Sequence, residues 1–342
     1  MTAAPLRLRR DADALTANWR ALARMSGSAA CGAAIKADGY GLGAAWVATT
    51  LAKAGARDFF VATWAEAAEL APLGLPALSV LHGVRDEDMA AALSGIATPV
   101  ISTAAQAVRW RAAGGAPCHV MLDTGMNRMG LGGDDLAAGA LDGLTIDVLM
   151  SHLASADEDS PKNSDQRGRF VAMAAGVTAE RLSLANSAGI ALGGDYAFDL
   201  TRPGLALYGG VPRPELAGAI AQVAFPQAQV LQRRRVAAGE TVGYNATWTA
   251  PADTDVAILN IGYADGYWRG FSGRGQALLG GATLPVLGRV SMDLIAVGVT
   301  GQPVAEGDWL EIDYDLPRAS AASGMSQYEL LTGLGSRFDR TG

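Results

Sequence analysis

Ala30-Cys31-Gly32-Ala33-Ala34-Ile35-Lys36 runs directly into Ala37-Asp38-Gly39-Tyr40-Gly41-Leu42-Gly43. Small and apolar residues that end on a lysine and then meet a glycine-rich loop read as a strand carrying a reactive side chain at its C-terminal end. That is where α/β folds place their chemistry. Of the 27 lysines and arginines only three are lysines, Lys36, Lys53 and Lys162. A guanidinium cannot form a Schiff base, whereas a lysine amine can once its surroundings keep it partly neutral.

Working outward, candidate strands fall at 30–35, 59–63, 78–82, 98–101, 119–123, 146–152, 181–185 and 198–202. Amphipathic stretches separate them, such as 11–25, where Leu15, Trp19, Leu22 and Met25 share a stripe and Asp11 is placed to cap. Eight strand–helix repeats predict an α/β fold, a (β/α)8 TIM-type barrel over residues 1–215; a doubly wound open sheet is the competing arrangement. After Gly209-Gly210-Val211-Pro212-Arg213-Pro214 the pattern changes. Segments 223–231, 242–248, 255–262, 284–290 and 309–314 are rich in β-formers, and helical periodicity returns only at 327–334. Residues 216–342 therefore read as a second, mostly β domain.

The 342 residues suit two domains on a prior of ~150 residues each. Half are hydrophobic and 18% charged, enough apolar surface for a sizeable core. The net charge of −7 argues against nucleic acid as partner, so an anionic ligand needs a local cluster of donors. Cys31 and Cys118 show no metal-type spacing and read as buried thiols in a reducing compartment. The N-terminus lacks a secretory pattern, and no apolar stretch reaches the ~18 residues of a membrane span. A cytoplasmic protein is expected.

On a barrel, polar residues at strand C-termini gather at one mouth. Lys36, His82, Asp123 with Arg128, His152, Asn186-Ser187 and Arg202 all hold such positions. The loops after strands seven and eight, Asn186-Ser187-Ala188-Gly189 and Arg202-Pro203-Gly204-Leu205, offer small residues and free N–H groups that suit a phosphate. A reactive lysine opposite a phosphate cradle suggests pyridoxal phosphate. Each residue also has an ordinary reading: Lys36 as a solvated charge, Ser187 as a helix cap, His152 as a core histidine, Arg202 as an ion-pair partner. Their joint placement favours the chemical one.

Ala33-Ala34-Ile35-Lys36-Ala37-Asp38-Gly39-Tyr40-Gly41 resembles the pyridoxal-lysine signature of the alanine racemases. The likeness continues through Asp123-Thr124-Gly125-Met126-Asn127-Arg128-Met129-Gly130, Ser151-His152-Leu153-Ala154, Asn186-Ser187-Ala188 and Arg202-Pro203-Gly204-Leu205-Ala206-Leu207-Tyr208-Gly209. In the second half it covers Gly243-Tyr244-Asn245-Ala246-Thr247-Trp248, Ile261-Gly262-Tyr263-Ala264-Asp265-Gly266-Tyr267 and Gly288-Arg289-Val290-Ser291-Met292-Asp293. Barrel-only relatives lack these last three.

The resemblance implies a head-to-tail homodimer in which each barrel mouth is closed by the partner's β domain. Lys36 would hold pyridoxal 5'-phosphate covalently. Tyr40, Asn186, Ser187, Gly204 and Leu205 would bind around its phosphate, and Arg202, bonded by His152, would face the pyridine nitrogen. Arg128, Met292 and Asp293 would hold the carboxylate of L- or D-alanine. Tyr263, Arg269, Arg289 and Asp157 would line a narrow entrance. Lys36 would handle the proton of the D-isomer and Tyr244, from the other subunit, that of the L-isomer. A phenol is a poor base at neutral pH, so Tyr244 needs nearby positive charge or donors. The implied activity supplies D-alanine for peptidoglycan or catabolises it.

Three positions depart from the family. Met121 stands where some members carry a modified lysine that orients the carboxylate-binding arginine, Ser336 where some carry a phosphate-contacting tyrosine, and Asn245 where glycine is common. The alternatives are a racemase of broader range, serine included, a pyridoxal phosphate carrier without turnover, and a decarboxylase. Tyr244 and Met292, in a full second domain, favour racemisation.

Overall fold

A computed structural model describes residues 4–342 of the chain; Met1, Thr2 and Ala3, the start of the expected first domain, lie outside the described residues. The backbone forms two compact units, one of Leu15–Ala221 and one of Gln222–Gly342 together with the N-terminal segment through Ala14.

In the first unit, seven parallel strands lie in chain order: Ala33–Ala34, Asp58–Val61, Ala77–Val80, Thr98–Ile101, Cys118–Met121, Ile146–Met150 and Arg181–Ser183. Leu200–Thr201 pairs with Ala30–Cys31, in parallel, and closes the curl. Asp199 N donates to Leu182 O at 3.0 Å and Arg202 N to Ala185 O at 2.8 Å, so the last strand also bonds back to its predecessor. The expected eight-membered barrel is therefore present, with its first strand split at Gly32. A Cβ on Gly32 would lie 2.8 Å from Asp58 O and 2.9 Å from the Phe60 ring, a contact only glycine avoids. Strands buried on both faces read as apolar runs, as Asp58–Val61 and Ile146–Met150 do.

Helix Ala12–Met25 starts where expected: Asp11 Oδ1 accepts from Ala14 N at 2.8 Å. Leu15 and Leu22 are buried on its inner stripe beside Asn18. Asn18 is satisfied by Leu207 O, Ala221 O and Ala221 N at 2.7–3.1 Å.

The second unit is an antiparallel sheet built on the long strand Ala224–Val236, which pairs with Thr254–Leu259, Trp309–Ile312 and Leu6–Arg10. Leu6–Arg10 was not expected as a strand, and by its pairing it belongs with the β unit rather than with the barrel of residues 1–215. Its alternation buries Leu6 and Leu8 and turns arginines outward. Strands Gln276–Leu279 and Ile295–Gly298 and helix Leu316–Ser323 were also missed. The stretch 242–248, expected as one strand, is a hairpin: Thr241–Val242 pairs with Trp248–Thr249 around a turn at Tyr244–Ala246. Gly243, Asn245 and Ala246 at φ 79°, 63° and 47° break the extended chain there. No helix among the described residues is long and apolar enough to cross a membrane.

A polar network crosses the N-terminal side of the barrel. Arg181 bridges Asp58 (2.9 Å) and Asp147 (3.2 Å), and His119 sits beside them. Val148 N donates to His119 Nδ1 at 3.2 Å, which leaves Nε2–H to donate to Ser79 Oγ at 3.1 Å. Burial, opposed in part by Asp147, holds His119 down to about 4, below the ordinary 6.5. The unfolded chain then binds a proton at pH 6.5 that the folded chain refuses until about pH 4. This contribution to stability is complete above pH 6.5 and is lost as pH falls toward 4, at up to about 1.4 kcal/mol per pH unit. Urea midpoints measured from pH 7.5 to 4 should fall accordingly, and His119→Gln should flatten the fall; an unchanged slope would show that His119 does not titrate this way.

Candidate active site

The barrel mouth is organised by the turn that follows Lys36. Ala37, Asp38, Gly39 and Tyr40 have φ of 52°, 52°, 62° and 55°, one left-handed turn of the chain. Such a turn costs roughly 1–2 kcal/mol for each non-glycine residue, so it needs external support. Asp38 Oδ1 accepts from Ala44 N at 2.8 Å, and Glu66 Oε1 accepts from Ala37 N at 2.7 Å. The turn swings Tyr40 inward, where its ring stacks on Tyr208 with centroids 4.6 Å apart. Tyr208 donates to Ala34 O at 2.7 Å, and its burial pushes the phenol well above the ordinary range. Lys36 is half-buried. Its amine is pushed below the usual lysine range by burial and then by Arg128, with Glu66 opposing.

Opposite this turn, Ser187 Oγ accepts from Gly204 N at 2.9 Å and Ala206 N at 3.2 Å, with Leu205 buried between them. A Cβ on Gly204 would lie 2.2 Å from Tyr40 Oη, so the backbone approaches the phenol as closely as glycine permits. Two converging N–H groups, a hydroxyl and a phenol suit an anion of phosphate size. The cap of the helix Ser187–Ala191 is Asn186, whose Oδ1 accepts from Gly189 N at 2.8 Å, so the hydroxyl of Ser187 is spared for the cradle.

Arg202 is buried, and its guanidinium donates to Ser183 Oγ and, at 2.6 Å, to Ser151 O. Both acceptors are neutral, and burial lowers the group to about 10, so it remains charged at neutral pH. The expected bond from His152 to Arg202 is absent. Burial and the cations Arg202, Arg128 and Lys36 hold His152 down to about 3, so it is a neutral ring among positive charges. Its backbone is pinned instead, by Gln166 Nε2 donating to His152 O at 3.1 Å.

Arg128 rides on a loop shaped by Asp123, whose Oδ1 accepts from the N–H groups of Gly125, Met126 and Asn127 at 2.8–3.1 Å. The side chain is exposed and makes no ion pair among the described residues. Met121, at the end of the strand leading into this loop, supplies only its carbonyl, to Leu131 N at 2.9 Å. His82 and Asp157 are exposed. Cys31 and Cys118 are buried free thiols, raised by burial to about 11 and about 12 and so kept protonated.

The β unit brings together the remaining residues. Tyr244 is 67% exposed at the tip of its hairpin. A Cβ on Gly243 would lie 3.5 Å from Arg289 N, so the base of the hairpin runs beside Arg289. Tyr263 N donates to Ser291 O and Ala264 N to Met292 O, both at 3.0 Å, which sets Tyr263 beside Met292. Arg269 lies over the Tyr263 ring, 4.9 Å from its centroid. Sequence reasoning missed the staple behind this face. Arg337 grips the buried Asp265 with two bonds, at 2.7 and 2.9 Å, and reaches Asp293 at 2.7 Å. Ser336 precedes it, and the exposed phenol of this C-terminal segment is Tyr328. Glu66 was missed as well, although Thr63-Trp64-Ala65-Glu66 is a capping-box spacing.

The profile described as "Alanine racemase, N-terminal domain" matches residues 10–212, and "Alanine racemase, C-terminal domain" matches residues 223–342. Alanine racemase of Acidiphilium cryptum is 44% identical over 347 residues, covering 96% of each chain. The biosynthetic alanine racemase of Agrobacterium fabrum is 40% identical, covering 98% of this chain and 93% of its own. Among solved structures, alanine racemase from Bartonella henselae with covalently bound pyridoxal phosphate superposes with a TM-score of 0.91 at 32% identity, over 99% of both chains. Matched in both halves, and by relatives along nearly its whole length, this chain belongs to the alanine racemase family.

Proposed function

We propose that this protein interconverts L-alanine and D-alanine with pyridoxal phosphate held by Lys36. The observation that carries this reading is the meeting, at one barrel mouth, of a lysine amine pushed toward neutrality with the cradle of Ser187, Gly204 and Ala206. The residues fit the cofactor: an oxygen already draws two backbone N–H groups together beside a phenol, and a phosphate oxygen can take the same donors. Tyr40, Asn186, Ser187, Gly204 and Leu205 would hold the phosphate in this reading, and Arg202 would donate to the pyridine nitrogen. When bound, the cofactor acidifies the Cα proton of an attached amino acid by delocalising the electron pair left behind.

The chain's own residues move that proton. Lys36 accepts it on one face, which its amine can do only when neutral; burial and Arg128 favour that form. Tyr244 serves the opposite face. Arg128, Met292 and Asp293 hold the substrate carboxylate, and Tyr263 narrows the approach. His152 stays neutral and so adds no further charge beside Arg202. Tyr244 comes from a second copy in a head-to-tail dimer; its exposure at a hairpin tip, with Met292 and Leu294 also exposed in the same unit, supports this. The two buried free thiols suit a cytoplasmic enzyme.

Purified protein given pyridoxal phosphate should gain visible absorption, and either enantiomer of alanine should acquire deuterium at Cα in D₂O. Lys36→Ala should abolish both. Tyr244→Phe should cut exchange from L-alanine by about 10²–10⁴ and leave exchange from D-alanine far less affected. Equal loss from both enantiomers would sink the assignment of faces.

Arg202 adds a prediction of its own. With the cofactor bound, a cation here would leave the pyridine nitrogen unprotonated, which would weaken the ring as an electron sink and limit side reactions. Arg202→Glu should raise transamination, measured as pyruvate released per racemisation; unchanged product purity would count against this role.

A further inference from the structure

We propose that Glu66 is a positioning residue for Lys36: its carboxylate holds the first peptide of the left-handed turn and sets negative charge against the cations around the amine. The proposal rests on the reading of Lys36 as the cofactor-bearing lysine. Backbone pairing between the first two barrel strands ends where Ile35 N donates to Phe60 O at 2.8 Å. Beyond that point the Glu66 carboxylate continues the seam. One oxygen, Oε2, accepts from Ala62 N at 2.7 Å and Thr63 N at 3.1 Å, which completes the capping box of helix Trp64–Leu70. The other, Oε1, is not needed for the cap and takes Ala37 N at 2.7 Å, across 29 positions of sequence.

A helix cap alone would use one oxygen. Two oxygens spread over two strand ends tie the residue after Lys36 to the neighbouring strand, at the point where the backbone enters its left-handed turn. Electrostatically, burial and Arg128 lower the Lys36 amine, Glu66 raises it, and neutral His152 lies within reach of Arg128 and of Lys36 itself. Glu66 therefore acts through the geometry and charge of Lys36 rather than on substrate.

The test reads the amine without relying on turnover. Apoprotein is acylated with an amine-directed reagent across a pH series, and modification of Lys36 is followed by peptide mass spectrometry. Glu66→Gln keeps the size of the side chain but offers one acceptor oxygen where two are used, and loses the charge. Its half-labelling pH should fall by roughly one unit, and turnover of the holoenzyme should drop by about tenfold or more. Glu66→Asp, which keeps the charge on a shorter arm, should shift in the same direction by less. Thr63→Ala removes the other half of the capping box and should leave labelling and turnover at wild-type values. A Glu66→Gln curve that superposes on wild type, or a Thr63→Ala curve that shifts as far, reduces Glu66 to a helix cap and overturns the proposal. Lys36→Ala tests the premise separately: if it still binds pyridoxal phosphate covalently, the reading of Lys36 falls whatever Glu66→Gln shows.

Discussion

Closure of the parallel sheet on itself is the constraint from which the barrel mouth follows. Ala30 N, Gly32 N and Ala34 N donate to Asp199 O, Thr201 O and Pro203 O at 2.8–2.9 Å, and these bonds put the first and last strands side by side. Lys36 and Arg202 are far apart in sequence, yet they leave adjacent strands in the same direction. The strand ending in Ser183 lies next in the ring, so the Ser187 hydroxyl meets the Gly204 turn. Without that seam the three pieces would belong to distant loops. Gly32 is the residue that lets the seam form, because the neighbouring strand fills the space a side chain would need.

Charge is distributed against the overall composition. The chain carries −7, but Lys36, Arg128 and Arg202 converge on the mouth, and Glu66 is the carboxylate that bears on Lys36. A ligand bearing a phosphate and a carboxylate finds donors there without any general positive field, and short-range bonds survive ionic screening that would erase such a field. Burial reinforces the effect by making unpaired charge costly: it pushes the Lys36 amine below the usual lysine range and holds the His152 ring neutral.

The barrel was legible because its strands are buried on both faces and read as apolar runs, most of them leading into a residue that could do chemistry. The β unit was legible in outline only. Leu6–Arg10 pairs with a strand that begins more than 200 residues later, and nothing local announces such a partner. The 242–248 stretch has β-forming residues on both sides of its turn, and the positive φ at Asn245 overrode that propensity. The catalytic candidates were visible through motif order, whereas Glu66, Ser183 and Arg337 were not. They act by holding other residues, and one-dimensional spacing records the residues held more clearly than what holds them.

The two arginines of the mouth show how wiring separates roles. Arg202 is buried and fully oriented by neutral oxygens, Ser183 Oγ and Ser151 O, so its charge is fixed in place and none of it is cancelled by a carboxylate. Such a group suits a constant partner, since any movement would expose a buried cation without its acceptors. Arg128 is the reverse: its loop is held by Asp123, but its side chain is exposed and has no ion pair among the described residues. Met121 cannot carry the negative charge that would lock it, because a thioether is at most a weak acceptor. If Arg128 holds the substrate carboxylate as proposed, a guanidinium on a fixed loop with an exposed head can take up and release it at each turnover, and the substrate itself would supply the missing anion. On that reading, with Met121 where some family members carry a modified lysine, the orientation of Arg128 would be set at the moment of binding rather than in the resting protein.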